Sequence, residues 1–294
     1  MSDLILAFKK SISWILVLVS MIGSAFTGTI DAISDKIEMV ENYVFSLDLG
    51  FSLGQGIATD GEYFYGFGAI KPISYNGLCK IDADTGRIVD RNEMCIPLEL
   101  MKKGYCHLGD GCYLDGKLYV ACEDRKFKAP AILIYDAETL DYLDYMLIPE
   151  EVKGDGHLPW CTISDGILYF TPFDDVTQIF MLDVADDLSC LGALPLNQTL
   201  QNVQGGDVYE GILYLTSDDG KREKPIYTVD LADGDTQLYC MRKMGNKFSE
   251  AEGMTVYPFA DGTLFHFVDV TLSVHIRSYK VIEDVVEDLL QPAA

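Results

Sequence analysis

An acidic residue followed by glycine and a short aromatic or aliphatic strand occurs five times in the 294-residue chain. The blocks are Asp60-Gly61 before Tyr63, Phe64 and Tyr65; Asp115-Gly116 before Leu118 and Tyr119; Asp165-Gly166 before Leu168 and Tyr169; Glu210-Gly211 before Leu213 and Tyr214; and Asp261-Gly262 before Leu264 and Phe265. The glycines lie 55, 50, 45 and 51 residues apart, a period that belongs to solenoids, propellers and arrays. Each block reads as a hairpin, because Asp and Gly tolerate the left-handed backbone of a tight turn.

The second half of each unit repeats as well. A polar loop leads to a third strand that ends in aspartate, at Leu78 to Asp82, Ile132 to Asp136, Ile179 to Asp183 and Ile226 to Asp230. A turn follows, and then a fourth, outward-alternating strand such as Leu140 to Ile148 or Thr236 to Met241. Four antiparallel strands repeated radially describe one blade of a β-propeller. The chain is therefore expected to be all-β, a five-bladed β-propeller of four-stranded blades. The fifth unit ends early, with Ser273 to Tyr279 as its third strand, and an unassigned strand at Tyr43 to Asp48 is expected to complete it and close the ring. That closure would remove an open sheet edge.

The turns Lys80-Ile81-Asp82-Ala83-Asp84-Thr85-Gly86 and Ile134-Tyr135-Asp136-Ala137-Glu138-Thr139 resemble those of quinoprotein-like and YVTN-repeat propellers. The resemblance spans about 50 residues per repeat and most of Tyr43 to Tyr279, and it implies fold rather than activity. Glu252-Gly253-Met254-Thr255, opening the last blade, is similar to an Glu-Gly-hydrophobic motif of plant and bacterial glutaminyl cyclotransferases, which are five-bladed. The other blades do not reproduce that motif.

A formal net charge of −24 argues against nucleic acid, whose phosphates need Lys and Arg. It favours cations, basic partners or neutral ligands. At the amino terminus, Lys9 and Lys10 precede an apolar run from Ile12 to Ile22, followed by Gly23, Ser24 and Ala25. This order matches a signal peptide or membrane anchor over residues 1–25, with a linker over 26–42, the propeller over 43–280 and an acidic tail over 281–294. The expected location is extracellular or at the cell surface, with membrane anchoring through the N-terminus. The eight cysteines include no Cys-x-x-Cys pair, so they do not read as a zinc or thioredoxin-type site. They are open either to disulfides, with Cys106–Cys112 or Cys112–Cys122 nearest in sequence, or to service as buried apolar residues.

In a propeller the innermost strand of every blade starts beside the central channel, so counting back from each glycine predicts which residues meet there. Nine residues back lie Ser52, His107, His157 and Asn202; six back lie Gln55, Asp110, Trp160 and Gly205. Aligning Gly253 with Gly56 and Gly111 adds Ser249 and Glu252 from the fifth blade, whose hairpin is lengthened by Tyr257 to Ala260. His107, His157, Asp110 and Glu252 are the candidate acid/base groups. Gln55, Trp160, Gln204 and Asp207 are candidate ligand contacts, Trp160 being either a stacking platform or packing. Asp110 and Glu252 offer oxygen ligands for Ca²⁺ or another divalent cation. Around them Glu123, Asp124, Asp174, Asp175, Asp218, Asp219 and Asp269 form an expected acidic collar. Nucleophile-elbow, phosphate-loop, zincin and dinucleotide motifs are missing. The expected function is an exported propeller that binds or senses a small molecule, glycan or protein through its acidic channel mouth; the alternative is a hydrolase or lyase using acid/base residues there.

Overall fold

The structure, a computed structural model, describes residues 34–70, 75–218, 222–245 and 249–282. Twenty strands form five four-stranded antiparallel sheets. The ring closes with β1 (Ile37–Phe45), and the first blade holds β2 (Gly56–Thr59), β3 (Tyr63–Ile70), β4 (Tyr75–Asp82) and β5 (Ile88–Glu93). The second holds β6 (Tyr105–Leu114), β7 (Lys117–Asp124), β8 (Ala131–Asp136) and β9 (Tyr142–Leu147). The third holds β10 (Thr162–Ser164), β11 (Ile167–Phe170), β12 (Val176–Asp183) and β13 (Ser189–Leu200). The fourth holds β14 (Val203–Tyr209), β15 (Ile212–Ser217), β16 (Glu223–Asp230) and β17 (Thr236–Lys243). The fifth combines β18 (Glu250–Val256), β19 (Phe265–Val270) and β20 (Val274–Val281) with β1, in the order β18-β19-β20-β1. The chain is thus a five-bladed β-propeller closed by an N-terminal strand.

The repeat has two physical causes. In the second to fourth blades both turn residues adopt positive φ, as at Asp115 (48°) and Gly116 (78°), Asp165 (51°) and Gly166 (78°), and Glu210 (50°) and Gly211 (79°). That backbone matches the right-handed twist of the flanking strands. In the first and fifth blades the aspartate works through its side chain instead: Asp60 Oδ1 accepts the Tyr63 N–H at 2.7 Å, and Asp261 Oδ1 accepts the Thr263 N–H at 2.9 Å. The aspartate ending each third strand likewise caps the next turn, with Asp82, Asp136, Asp183 and Asp230 accepting N–H groups two or three residues on.

The apolar core is divided among the junctions between blades. One cluster around Phe67, Leu108 and Tyr135 joins the first and second blades, and another around Phe64, Leu53 and Ile276 joins the fifth and first. The ring-closing strand begins at Ile37, earlier than the sequence reading placed it, because Ile37 is 1% exposed and packs in the junction of the fourth and fifth blades. Tyr43, on the same strand, donates its hydroxyl to the Ala83 carbonyl at 2.9 Å and ties the closing strand to the first blade.

All eight cysteines are free thiols, and all except Cys190 are buried. Cys106 and Cys112 lie on the same extended strand, β6, about 20 Å apart along its length. Cys122 faces Leu108 rather than Cys112. The signal peptide or membrane anchor expected over residues 1–25 and the acidic tail beyond Ile282 lie outside the described residues. Among the described residues no helix is long and apolar enough to cross a membrane.

Candidate functional site

Where the inner strands begin, Gln55, His107, Glu123, His157, Phe173, Gln204 and Glu252 line a cavity of about 230 Å³. The repeat ruler brings Gln55, His107, His157, Gln204 and Glu252 to this mouth. It also predicts Asp110, Trp160 and Asp207, which the structure places elsewhere.

Glu123 organises the cavity. Its carboxylate is 3% exposed and lies between the two imidazoles, with His107 Nδ1 at 3.2 Å from Oε2 and His157 Nδ1 at 3.4 Å from Oε1. Oε1 also accepts the Leu158 N–H at 2.9 Å. A carboxyl group placed between two imidazole nitrogens and a backbone N–H orients both rings toward it. The His157 ring also stacks on Phe127, with centroids 3.9 Å apart. That stacking needs the loop to pass closely: a Cβ on Gly156, at φ +86°, would meet the Phe127 carbonyl oxygen at 1.8 Å.

Glu252 enters from the fifth blade and is 6% exposed. Burial, reinforced by the negative charges of Glu250, Asp218 and Asp269, pushes its carboxyl well above the usual range. Glu252 and Gln204 both sit where their strands break register, between Ala251 and Met254 and between Val203 and Gly205. Such bulges re-aim side chains next to functional sites.

Asp110 was expected at the mouth but is fully buried beneath it. The break in register between Leu108 and Gly111 turns it toward the propeller axis. There Oδ1 accepts the Ile57 N–H at 2.8 Å and Oδ2 the Met254 N–H at 2.9 Å, joining three blades. The strands approach so closely that a Cβ on Gly253 would lie 2.4 Å from Asp110 Oδ1 and 2.5 Å from the Gly56 Cα. Burial drives the Asp110 carboxyl well above its ordinary range, against the backbone donors. This carboxyl staples the axis and is not among the residues that line the cavity. Among the described residues no group of three His, Cys, Asp or Glu side chains is placed to hold a metal ion.

Trp160 and Asp207 are also structural. Trp160 is 0% exposed, donates Nε1–H to Thr171 Oγ1 at 2.9 Å, and packs in the junction of the third and fourth blades. Asp207 accepts hydroxyls from Thr162 and Thr255, both at 2.8 Å, and so bridges the blades on either side of its own. Most of the collar resolves into similar braces. Asp124 accepts three backbone N–H groups, which outweigh burial and hold its carboxyl below the usual range. Asp218 pairs with the buried Lys224 at 2.6 Å. Asp269 lies between Arg242 and Arg277 at 2.9 and 2.7 Å. Asp219 lies outside the described residues. Of the described collar residues, Glu123 alone lines the cavity. Asp174-Asp175 and Asp218-Asp219 follow equivalent hairpins, so the acidic pair did not mark Glu123 in the sequence.

No family model and no curated protein matches this sequence. Among solved structures, the fold is similar to glutaminyl cyclase from Myxococcus xanthus, with a TM-score of 0.57 and 12% identity over 84% of this chain and 97% of that one. It is similar to a luciferin-regenerating enzyme, with a TM-score of 0.51 and 11% identity over 83% and 96% of the two chains. A third likeness is to exo-β-1,3-galactanase from Phanerochaete chrysosporium, with a TM-score of 0.51 and 9% identity over 85% and 67%. At these identities the likeness establishes the propeller fold.

Proposed function

We propose that the cavity at the channel mouth is a binding site for a small polar molecule bearing amide or hydroxyl groups. The observation that carries this reading is the convergence of Gln55, Gln204, two oriented imidazoles and the buried Glu252, whose carboxyl is raised, on one cavity of about 230 Å³. Such a site offers donors and acceptors in fixed positions, which is how concave sites orient polar ligands. Phe173 and Pro159 supply the apolar part of the wall. The exported location expected from the amino-terminal segment agrees with a receptor for a solute or a glycan end.

A second reading, acid/base catalysis in a hydrolase or lyase, is favoured by one specific feature. Glu252, whose carboxyl is raised by burial, lines the same cavity as His157, and a raised carboxyl beside an imidazole is an acid and base pair in reach of one ligand. Glu252 would donate a proton, and His157, oriented by Glu123, would accept one through Nε2. The fold neighbours named above include a glutaminyl cyclase and a galactanase, whose substrates carry amide and hydroxyl groups.

The test is a melting-temperature series on the full chain with glutamine, galactose and acetamide, repeated for Glu123→Gln. A ligand of the native state raises the melting temperature as its concentration passes its Kd. At least one probe is expected to raise it in the wild type and to lose most of that effect in Glu123→Gln. An equal rise in both proteins, or none with any probe up to about 10 mM, would contradict the reading. Turnover of a bound probe, lost in both Glu252→Gln and Glu123→Gln, would establish the catalytic reading over simple binding.

A further inference from the structure

At the opposite ends of the strands, where the ring is closed, a larger cavity of about 500 Å³ opens between the fifth and first blades. It exists because the last inner hairpin is longer than the others. Tyr257 and Phe259, from that extension, meet edge to face with centroids 5.3 Å apart. Phe259 continues the wall to Phe64 at 5.7 Å and to His266 at 4.8 Å. Tyr43, on the closing strand, completes it from the far side. The hairpin is held in this pose by Tyr257 N–H to Leu264 O and Phe259 N–H to Thr263 O, each 2.9 Å.

The charge on this aromatic wall has one sign. Glu41, Asp84 and Asp261 line the cavity, and among the described residues no lysine or arginine does. Its single basic side chain, His266, is kept neutral: burial lowers its pKa to about 4, while Nδ1 meets Ser278 Oγ at 2.8 Å and Nε2 meets the Tyr257 carbonyl at 3.2 Å. Asp261 is ionised, its carboxyl lowered by hydrogen bonds from Thr263. The Tyr43 hydroxyl reports the resulting field, since burial and then Glu41, Asp84, Asp82 and Asp261 raise it to about 12. Aromatic faces and carboxylates together select a cation, and the aromatic share of the wall selects one with an apolar body.

We propose that this seam cavity is a second binding site, distinct from the channel mouth, that takes a small organic ammonium ion against Tyr43, Tyr257 and Phe259 with Asp261 as its counter-ion. The proposal stands independently of what the mouth binds. Because the cavity is walled by the closing strand, the first blade and the last hairpin, a bound ammonium bridges the seam and stabilises closure of the ring.

Isothermal titration of the full chain with choline and benzyltrimethylammonium tests this, with 3,3-dimethylbutanol as the uncharged counterpart of choline. The ammonium ions are expected to bind, and the alcohol to bind at least about fivefold more weakly, the worth of one screened charge contact. Asp261→Asn, which keeps an oxygen for the Thr263 N–H, and Tyr257→Ala should each weaken the ammonium ions by about fivefold or more. Glu123→Gln, on the opposite face, should leave them unchanged. The proposal is overturned by absence of binding to about 10 mM, by equal affinity for the alcohol, or by loss of binding in Glu123→Gln with Asp261→Asn unaffected, which would move the ammonium to the mouth. If Tyr257→Ala does not fold, Asp261→Asn decides the question.

Discussion

Individual side chains here are legible mainly by what surrounds them. Glu252 and Asp269 are both buried acids with opposite shifts. For Glu252, burial and neighbouring carboxylates raise the carboxyl pKa, so its stabilising contribution is present below the ordinary value of about 4.5 and is lost as pH rises through the folded value. Glu252→Gln is therefore expected to be more stable than the wild type at alkaline pH, with the difference shrinking in acid, as read by urea midpoints across pH. For Asp269, burial is outweighed by Arg242 and Arg277, which lower the carboxyl. Its contribution is present above the ordinary value and is lost as pH falls through the folded one. Asp269→Asn strands two buried guanidiniums and is expected to cost about 3–5 kcal/mol. His266 and His275 are neutral in the fold, with burial lowering both from 6.5 to about 4. The unfolded chain takes up those protons first as pH falls below 6.5, so stability drops between there and about 4, by about 3 kcal/mol for each histidine. His275→Gln should flatten that slope by its share.

At the scale of strands and turns, the register of the repeat was readable and its interruptions were not. Counting from each glycine brought His107, within β6, and His157, before β10, to the same cavity although their strands start at different points. Asp110 and Glu252 occupy equivalent positions in the count, yet one is sealed on the axis and the other lines the cavity. Both lie at breaks in register, and a one-residue slip in a strand sends a side chain to the other face. No composition signal marks such a bulge. Trp160 failed for a related reason: the ruler gives height along the strand but not which face a residue occupies, and Gly206 leaves the space in which the indole packs. Glu123 was hidden because seven acidic residues share the collar, and what sets it apart is the β6–β7 register that places it opposite His107 at the cavity. The approach of the second and third blades at the mouth depends on Gly109, whose Cβ would meet the Pro159 carbonyl oxygen at 2.2 Å. Gly109→Ala is expected to cost about 1–3 kcal/mol as overpacking and to disturb the cavity that Gly109 and Pro159 line, so stability and ligand binding should fall together in a denaturation and titration pair.

For the whole molecule, five blades and a closing strand follow from the repeat because each unit can bury its faces only against its neighbours. The closing strand's start at Ile37 escaped the sequence reading, since polar residues make up half of the stretch from Ile37 to Asn42 and its one deeply buried residue is the first. A chain beginning after Phe45 should expose the full β20 edge and lose the Tyr43–Ala83 tie. It is expected to aggregate or to unfold without a single cooperative transition, as seen by size-exclusion chromatography and calorimetry. The ring then presents two opposite faces, a polar mouth organised by Glu123 and an aromatic seam with negative charge. The claim that the mouth is the functional site is tested most directly by nitrogen NMR of the imidazole rings, which the presence of only four histidines makes tractable. His107 and His157 should both be protonated at Nδ1, should both change in Glu123→Gln, and should shift when the polar ligand that raises the melting temperature is added, while His266 and His275 stay still. Resonances of His107 and His157 that ignore both the substitution and the ligand would contradict the account.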